Sequence, residues 1–235
     1  MRLDLSFMIK TFLLSLSAIP VTLKITLTAL LVAVPFGFVM ALCNIYRVRI
    51  LKELSNLYIS FIRGTPIVLQ ILIVYSLLPS LLNGAFKKLG WAVNIFDLNP
   101  IIYACAVFAF NNAALLAELF RSALLAVDRG QHEAALSAGL SPAQSFFRIV
   151  IPQALVTALP NLCNFTITLI KNTSLAFIMT VKDITAVAKI EASYGYNYVE
   201  AYLDIFVIYI IICGAAQFLF DKAEGCFKAW KPKVN

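Results

Sequence analysis

Five polar residues recur at helical spacing within one otherwise apolar stretch of this sequence. Thr157, Asn161, Asn164, Thr168 and Asn172 follow one another at steps of four, three, four and four, so all lie on one face of a helix. Amides and hydroxyls offer hydrogen bonds rather than acid–base chemistry. In an apolar setting such a line suits the wall of a path for a polar solute, while any one member alone suits glue between helices. Lys171 borders the line, and Thr173 and Ser174 extend it. Pro152 and Pro160 in the same stretch can free backbone carbonyls for a ligand or water. Two other apolar stretches add Gln70, and Asn111 with Glu118 seven residues further on. Glu118 and Arg121 stand one helical turn apart and read as an ion pair.

Other chemistry lacks its residues. His132 is the only histidine and falls in a polar loop, so the apolar stretches lack the usual base for a Ser–His pair or a His–Glu metal site, and neither catalytic nor metal-ligating residues are expected. The cysteines, Cys43, Cys105, Cys163, Cys213 and Cys226, are odd in number and never spaced Cys-x-x-Cys; they read as small apolar residues. No glycine opens a Gly-x4-Gly-Lys-Ser/Thr phosphate loop, so hydrolysis of ATP by this chain is not expected.

The elements that hold these residues are membrane-spanning helices. Hydrophobic residues make up 61% of the chain and charged ones 13%, about half the charged share of a soluble domain. Four stretches carry no charge, 25–46, 64–86, 98–117 and 149–170, and a fifth covers 205–220. Each approaches the roughly 20 apolar residues needed to cross a bilayer. Residues 172–181 are uncharged but too short, and read as a broken or re-entrant piece buried in protein or lining a cavity. The reading is an all-α membrane protein with five transmembrane helices. One side carries Arg47, Arg49, Lys52, Arg63, Arg121, Arg129, Arg148, Lys222, Lys228, Lys231 and Lys233. The other carries Arg2, Lys10, Lys24, Lys87, Lys88, Lys171, Lys182 and Lys189. The larger set is assigned to the cytoplasm, which puts the N-terminus outside and the C-terminus inside. The net charge of +7 follows from this flanking pattern and anionic lipid, and needs no nucleic acid. Asp4 and Lys10 interrupt the first 20 residues, which therefore do not read as a cleaved signal.

Between the third and fourth spans, residues 129–148 are too polar for a crossing yet patterned as two short helices. Gln131 to Ala138 is helix-forming, and Gly139 sits where a glycine ends a helix. Ser141, Pro142 and Gln144 then fit an N-cap, first position and capping box. A second helix runs through Phe146 and Phe147 into the fourth span. Ala134, Ala135 and Ala138 give too little bulk for a helix lying on lipid, and fit a partner's groove instead.

Glu133-Ala134-Ala135, three residues, Gly139, nine residues, then Ile149-Val150-Ile151-Pro152 resembles the EAA loop of ABC importer permeases, with Ile151 where leucine is more usual. Phe61-Ile62-Arg63-Gly64-Thr65-Pro66 is similar to the signature of the polar amino acid group within them. So are Ala117-Glu118-Leu119-Phe120-Arg121 and Lys171-Asn172-Thr173-Ser174-Leu175-Ala176. Physically, Thr65 can cap and Pro66 open a helix, while Arg63 can snorkel. Asn112-Ala113-Ala114 and Ser174-Leu175-Ala176-Phe177 look like the cystine-type members.

The resemblance implies a type I importer transmembrane domain over residues 21–225, preceded by an external or interfacial segment 1–20 and followed by a cytoplasmic tail 226–235. Its loop 129–148 would be the coupling loop, with Glu133, Ala134, Ala135, Gly139 and Pro152 engaging an ATP-binding subunit dimer that holds ATP and magnesium. A second permease, identical or not, and an extracytoplasmic amino-acid-binding protein complete the implied assembly in the bacterial cytoplasmic membrane. Many members read Lys-Asp-Thr-Ser where this chain has Asn172, and those for cationic substrates carry acidic groups on that span. Residues 149–170 hold no Asp or Glu. A neutral or zwitterionic substrate such as cystine or glutamine is expected, since a buried cation would lack a counter-charge. A basic amino acid is the alternative. A secondary transporter or channel would call for inverted-repeat halves, which five unequal spans do not supply.

Overall fold

The structure, a computed structural model, describes residues 3–91 and 94–229. Arg2, Lys231 and Lys233 of the topology argument lie outside the described residues, as does most of the expected tail 226–235. The chain is helical, with no strand among the described residues. Its helices are α1 (Leu5–Leu16), α2 (Ile19–Ile45), α3 (Arg49–Gly64), α4 (Ile67–Lys88), α5 (Pro100–Leu125), α6 (Arg129–Ser137), α7 (Pro142–Ser145), α8 (Ile151–Asn172), α9 (Ile184–Gly195) and α10 (Tyr198–Ala229). Five stretches are long and apolar enough to cross a membrane: Leu5–Ile45, Ile67–Lys88, Pro100–Leu125, Pro142–Met179 and Tyr198–Cys226. These are the five expected crossings, with longer bounds.

α5 is the centre of the bundle. In its most apolar window 61% of residues are buried, against 11% for α4 and for α10, so α5 meets protein on most sides while the others keep a face for lipid or a partner. Its main neighbour is α2, which offers Ala29, Ala33, Gly37 and Ala41 at steps of four, all buried. Small residues at this spacing let two helix backbones approach, the usual device where lipid removes the hydrophobic incentive to associate. Leu116, Phe120 and Phe38 fill the space on either side, the two rings meeting edge to face at 5.7 Å.

Residues 49–64, read only as a basic loop, form helix α3. Charges keep it from reading as a span, but Ser55, Ile59 and Ile62 at steps of four and three make an apolar seam buried against the bundle. The corner that follows corrects the reading of Thr65 as a cap and Pro66 as a first helical residue. Thr65 ends α3, its hydroxyl donating back to the Phe61 carbonyl at 2.9 Å, and Pro66 occupies the N-cap position of α4. Proline fits there because the helix asks no N–H of that residue.

The segment expected to lie outside or at the interface over residues 1–20 is mostly helix α1, capped by Asp4 and packed on α9 and α10. Thr11 and Ser15, one turn apart, are fully buried, and Lys10 pairs with Glu191 of α9 at 2.8 Å. After α8 the chain tightens into a 3-10 segment, Thr173–Met179, ended by Thr180 in the left-handed region at φ 59°. This is the broken piece expected over 172–181. α9 was not anticipated; Ile184, Ala188 and Ala192, buried at steps of four, hold it to the bundle.

Candidate functional site

The loop joining α5 to α8 is built from local signals. Asp128 caps α6, its carboxylate accepting the Gly130 N–H at 2.6 Å. α6 ends in a Schellman motif: Leu140 N donates to the Ala135 carbonyl and Gly139 N to the Leu136 carbonyl, with Gly139 at φ +87°. Only glycine takes that angle without strain. Ser141 and Gln144 then form a reciprocal capping box, with Pro142 in the first turn of α7. α6 buries Ala135 and exposes Glu133, Ala134, Ser137 and Ala138 along one side. The presented face is thus narrow, small and polar-edged. Ala135, grouped with that face by the sequence, lies on the underside.

Beyond α7 the helix widens into a π turn, Phe146–Val150, before α8. Pro152 accounts for it. Proline cannot donate to the carbonyl four residues back, Arg148, and its ring would strike that group in a regular helix. Pro152 is therefore a shaping element of the arm rather than part of the exposed α6 face. A cleft of about 240 Å³ opens between the arm and the spans, lined in part by Tyr46, Asp128, His132 and Phe146.

The polar line of α8 lies on an exposed face. Thr157, Asn161, Asn164 and Thr168 are exposed, while the opposite face buries Ala154, Ala158, Cys163, Thr166 and Leu169. The threonines return their hydroxyls to the Gln153 and Asn164 carbonyls, one turn back. No side-chain partner satisfies the Asn161, Asn164 or Asn172 amides among the described residues. Asn172 and Ser174 are half-buried. Thr173 leaves the wall: it is fully buried and donates to the Ile170 carbonyl at 2.6 Å.

Gln70 and Asn111 do not join this wall either. The Asn111 amide donates to Gln70 Oε1 at 3.0 Å, and Gln70 Nε2 donates to the Ile62 and Thr65 carbonyls and the Thr65 hydroxyl at 3.0, 3.1 and 2.8 Å. Both are buried. Together they lock the α3–α4 corner, with Gly64 and Thr65, onto α5. Arg63 beside it is exposed. Glu118 and Arg121 form the expected pair, at 2.8 and 3.1 Å from one carboxylate oxygen.

Asp183 is a functional-looking group that sequence reading missed. It caps α9 by accepting the Ala186 N–H at 2.9 Å and has no exposed surface. Burial pushes its carboxyl up to about 6, against the backbone N–H groups that pull it down. An acidic residue beside Lys182 reads as solvated loop, and only the tertiary fold buries it.

A five-span helical bundle with a cornered loop between two spans and an exposed polar helix face is the build of a membrane transport subunit. The chain belongs to the family of binding-protein-dependent transport system inner membrane components, whose model matches residues 33–223. It is 38% identical over 228 residues to the L-cystine transport system permease protein TcyL of Bacillus subtilis (strain 168), covering 97% of this chain and 93% of that protein. The arginine transport system permease protein ArtQ of the same organism is 29% identical over 229 residues, covering 97% of this chain and 99% of that protein. Among solved structures, an amino acid ABC transporter crystallised with histidines superposes with a TM-score of 0.79 at 31% identity, covering 95% of this chain and 99% of that one. The chain is thus a multi-pass inner membrane permease of the type I ABC importer fold.

Proposed function

We propose that this chain is the permease subunit of an ATP-driven importer of polar amino acids, one of two permeases around a path walled by α8. The observation that carries the proposal is the exposed face of α6, Glu133, Ala134, Ser137 and Ala138, held at a fixed corner by Gly139 and leading through α7 and the π turn into α8. A small face accepts close approach by a groove, and its attachment to the wall-bearing helix lets a push on one reach the other. The groove belongs to a separate ATP-binding subunit dimer, which holds the ATP and magnesium. The C-terminus and α6 face the cytoplasm and the N-terminus faces outward, where a binding protein delivers substrate.

The exposed amides of Asn161 and Asn164 support a second permease opposite, since facing hydrocarbon they would go unsatisfied. The absence of any acid between residues 149 and 170 supports a neutral or zwitterionic substrate, cystine or glutamine. The higher identity to the cystine permease than to the arginine permease runs the same way.

The test is substrate-stimulated ATPase activity of the complex in liposomes, with cystine, glutamine, histidine, arginine and glutamate offered in turn. Stimulation by a neutral amino acid is expected. Stimulation by arginine alone would overturn the charge argument and keep the importer. No co-purifying ATPase and no stimulation would sink the importer reading itself.

A further inference from the structure

Two side-chain bridges tie α6 to the arm that enters the membrane. Gln153 Nε2 donates to Gln131 Oε1 at 3.3 Å, an exposed and long contact. His132 Nδ1 and Ser145 Oγ stand 2.7 Å apart, and Ser145 is fully buried. The second is the firmer bridge, because a buried hydroxyl that loses its partner has no water to replace it. It also closes a loop of structure. α6 and α7 are joined by the Gly139 corner at one end, and His132 to Ser145 joins them again across the gap. Besides these bridges α6 packs on α7 and the π turn, with Ala135 buried, while the cleft lies between it and Leu42 of α2 and Tyr46 just past that helix's end. Immediately after Ser145 comes the π turn, where the regular helical ladder is interrupted.

We propose that the His132–Ser145 hydrogen bond is the link through which displacement of α6 reaches α8, making His132 a positioning residue for coupling. The proposal rests on the docking role of α6 given above. With the bond present, α6 and α7 move as one body and the push arrives beyond the π turn. Without it, α6 rocks on the Gly139 corner above the open cleft, and the movement is lost before Pro152. The bond holds in each state of the ring: bare Nδ1 accepts from the serine hydroxyl, and protonated Nδ1 donates to its oxygen. The link is therefore mechanical rather than a proton switch.

The experiment measures substrate moved per ATP hydrolysed by the complete complex in liposomes, together with co-purification of the ATPase. His132→Ala and Ser145→Ala are each expected to lower the ratio by roughly fivefold, the scale of one buried hydrogen bond, with co-purification and stimulated hydrolysis retained. The double variant should be no worse than either single one. His132→Asn, whose amide reaches the position of Nδ1, should restore the ratio, which a purely steric role for the ring would not allow. Glu133→Lys is run beside them. A wild-type ratio in His132→Ala, or loss of the ATPase from it, with Glu133→Lys defective overturns the link alone. Wild-type behaviour of both overturns the link and the docking role together.

Discussion

A Cβ added to Gly37 of α2 would stand 3.0 Å from the carbonyl oxygen of Ala113 on α5, and equally near the Ala117 nitrogen. The two helices therefore meet nearly backbone to backbone, with only the Leu116 Cβ, also 3.0 Å away, beside the contact. Because the Ala113 and Ala117 atoms are main chain in a central helix, they cannot swing aside as a flexible side chain would.

Gly37→Ala should accordingly destabilise the protein by about 1–3 kcal/mol, the usual result of overpacking, and Gly37→Leu should prevent accumulation of folded protein. Thermal unfolding in detergent measures the first and membrane yield the second. Gly214→Ala, where an added Cβ meets nothing within 4 Å, serves as the control and should be neutral or slightly stabilising. A Gly37→Ala variant as stable as wild type would show that the α2–α5 contact is looser than described.

Glu133→Lys and Gly139→Asp should both leave the protein inserted yet unable to drive uptake. Their causes differ. Glu133→Lys reverses charge on the exposed α6 face, whereas Gly139→Asp puts a side chain at φ +87°, a strain of about 1–2 kcal/mol that reopens the corner. Gly139→Asn, better tolerated there, should retain more uptake than Gly139→Asp. Equal uptake from all three variants and wild type would argue against the docking face.

Removing Gln70 should cost more than removing Asn111, because Gln70 serves the corner carbonyls as well as Asn111. In a thermal-stability cycle of Gln70→Leu, Asn111→Leu and the double variant, the double should resemble Gln70→Leu rather than the sum. Strict additivity would mean the two amides do not act as a unit.

The Asp183 carboxyl predicts a pH dependence of definite sign. Its folded value of about 6 lies above the ordinary 3.8, so between those values the folded protein holds more protons than the unfolded one. Stability should fall as pH rises through this window, by on the order of 3 kcal/mol. Asp183→Asn keeps an acceptor for the Ala186 N–H and should flatten the profile, being more stable than wild type at pH 8. Thermal unfolding from pH 4 to 8 decides; a wild-type protein gaining stability through the window would reverse the assignment.

What could be read from sequence was what repeats locally. The uncharged runs gave the crossings, because a bilayer demands about 20 apolar residues wherever they occur. Gly139, Ser141, Pro142 and Gln144 gave the loop, because caps act within a few residues. The polar, exposed face of α8 followed from spacing alone. The helices α1, α3 and α9 did not, since they are short and charge-interrupted and exist by packing against other elements. Side-chain direction was also hidden. Thr173 follows the polar line in sequence, but one residue past Asn172 is about 100° round a helix, and its side chain is buried. Gln70 and Asn111 are polar residues in spans like those of the wall, and only their mutual hydrogen bond assigns them to the interior.

The bare amides of Asn161 and Asn164 have a consequence for manufacture as well as transport. In the two-permease assembly proposed above, a copy that has inserted but found no mate shows the bilayer two groups it cannot satisfy, whereas a mated copy hides them. The same side chains that would greet a solute thus distinguish finished complexes from orphans. Chains made in excess should be recognised by membrane quality control and cleared until subunit numbers match.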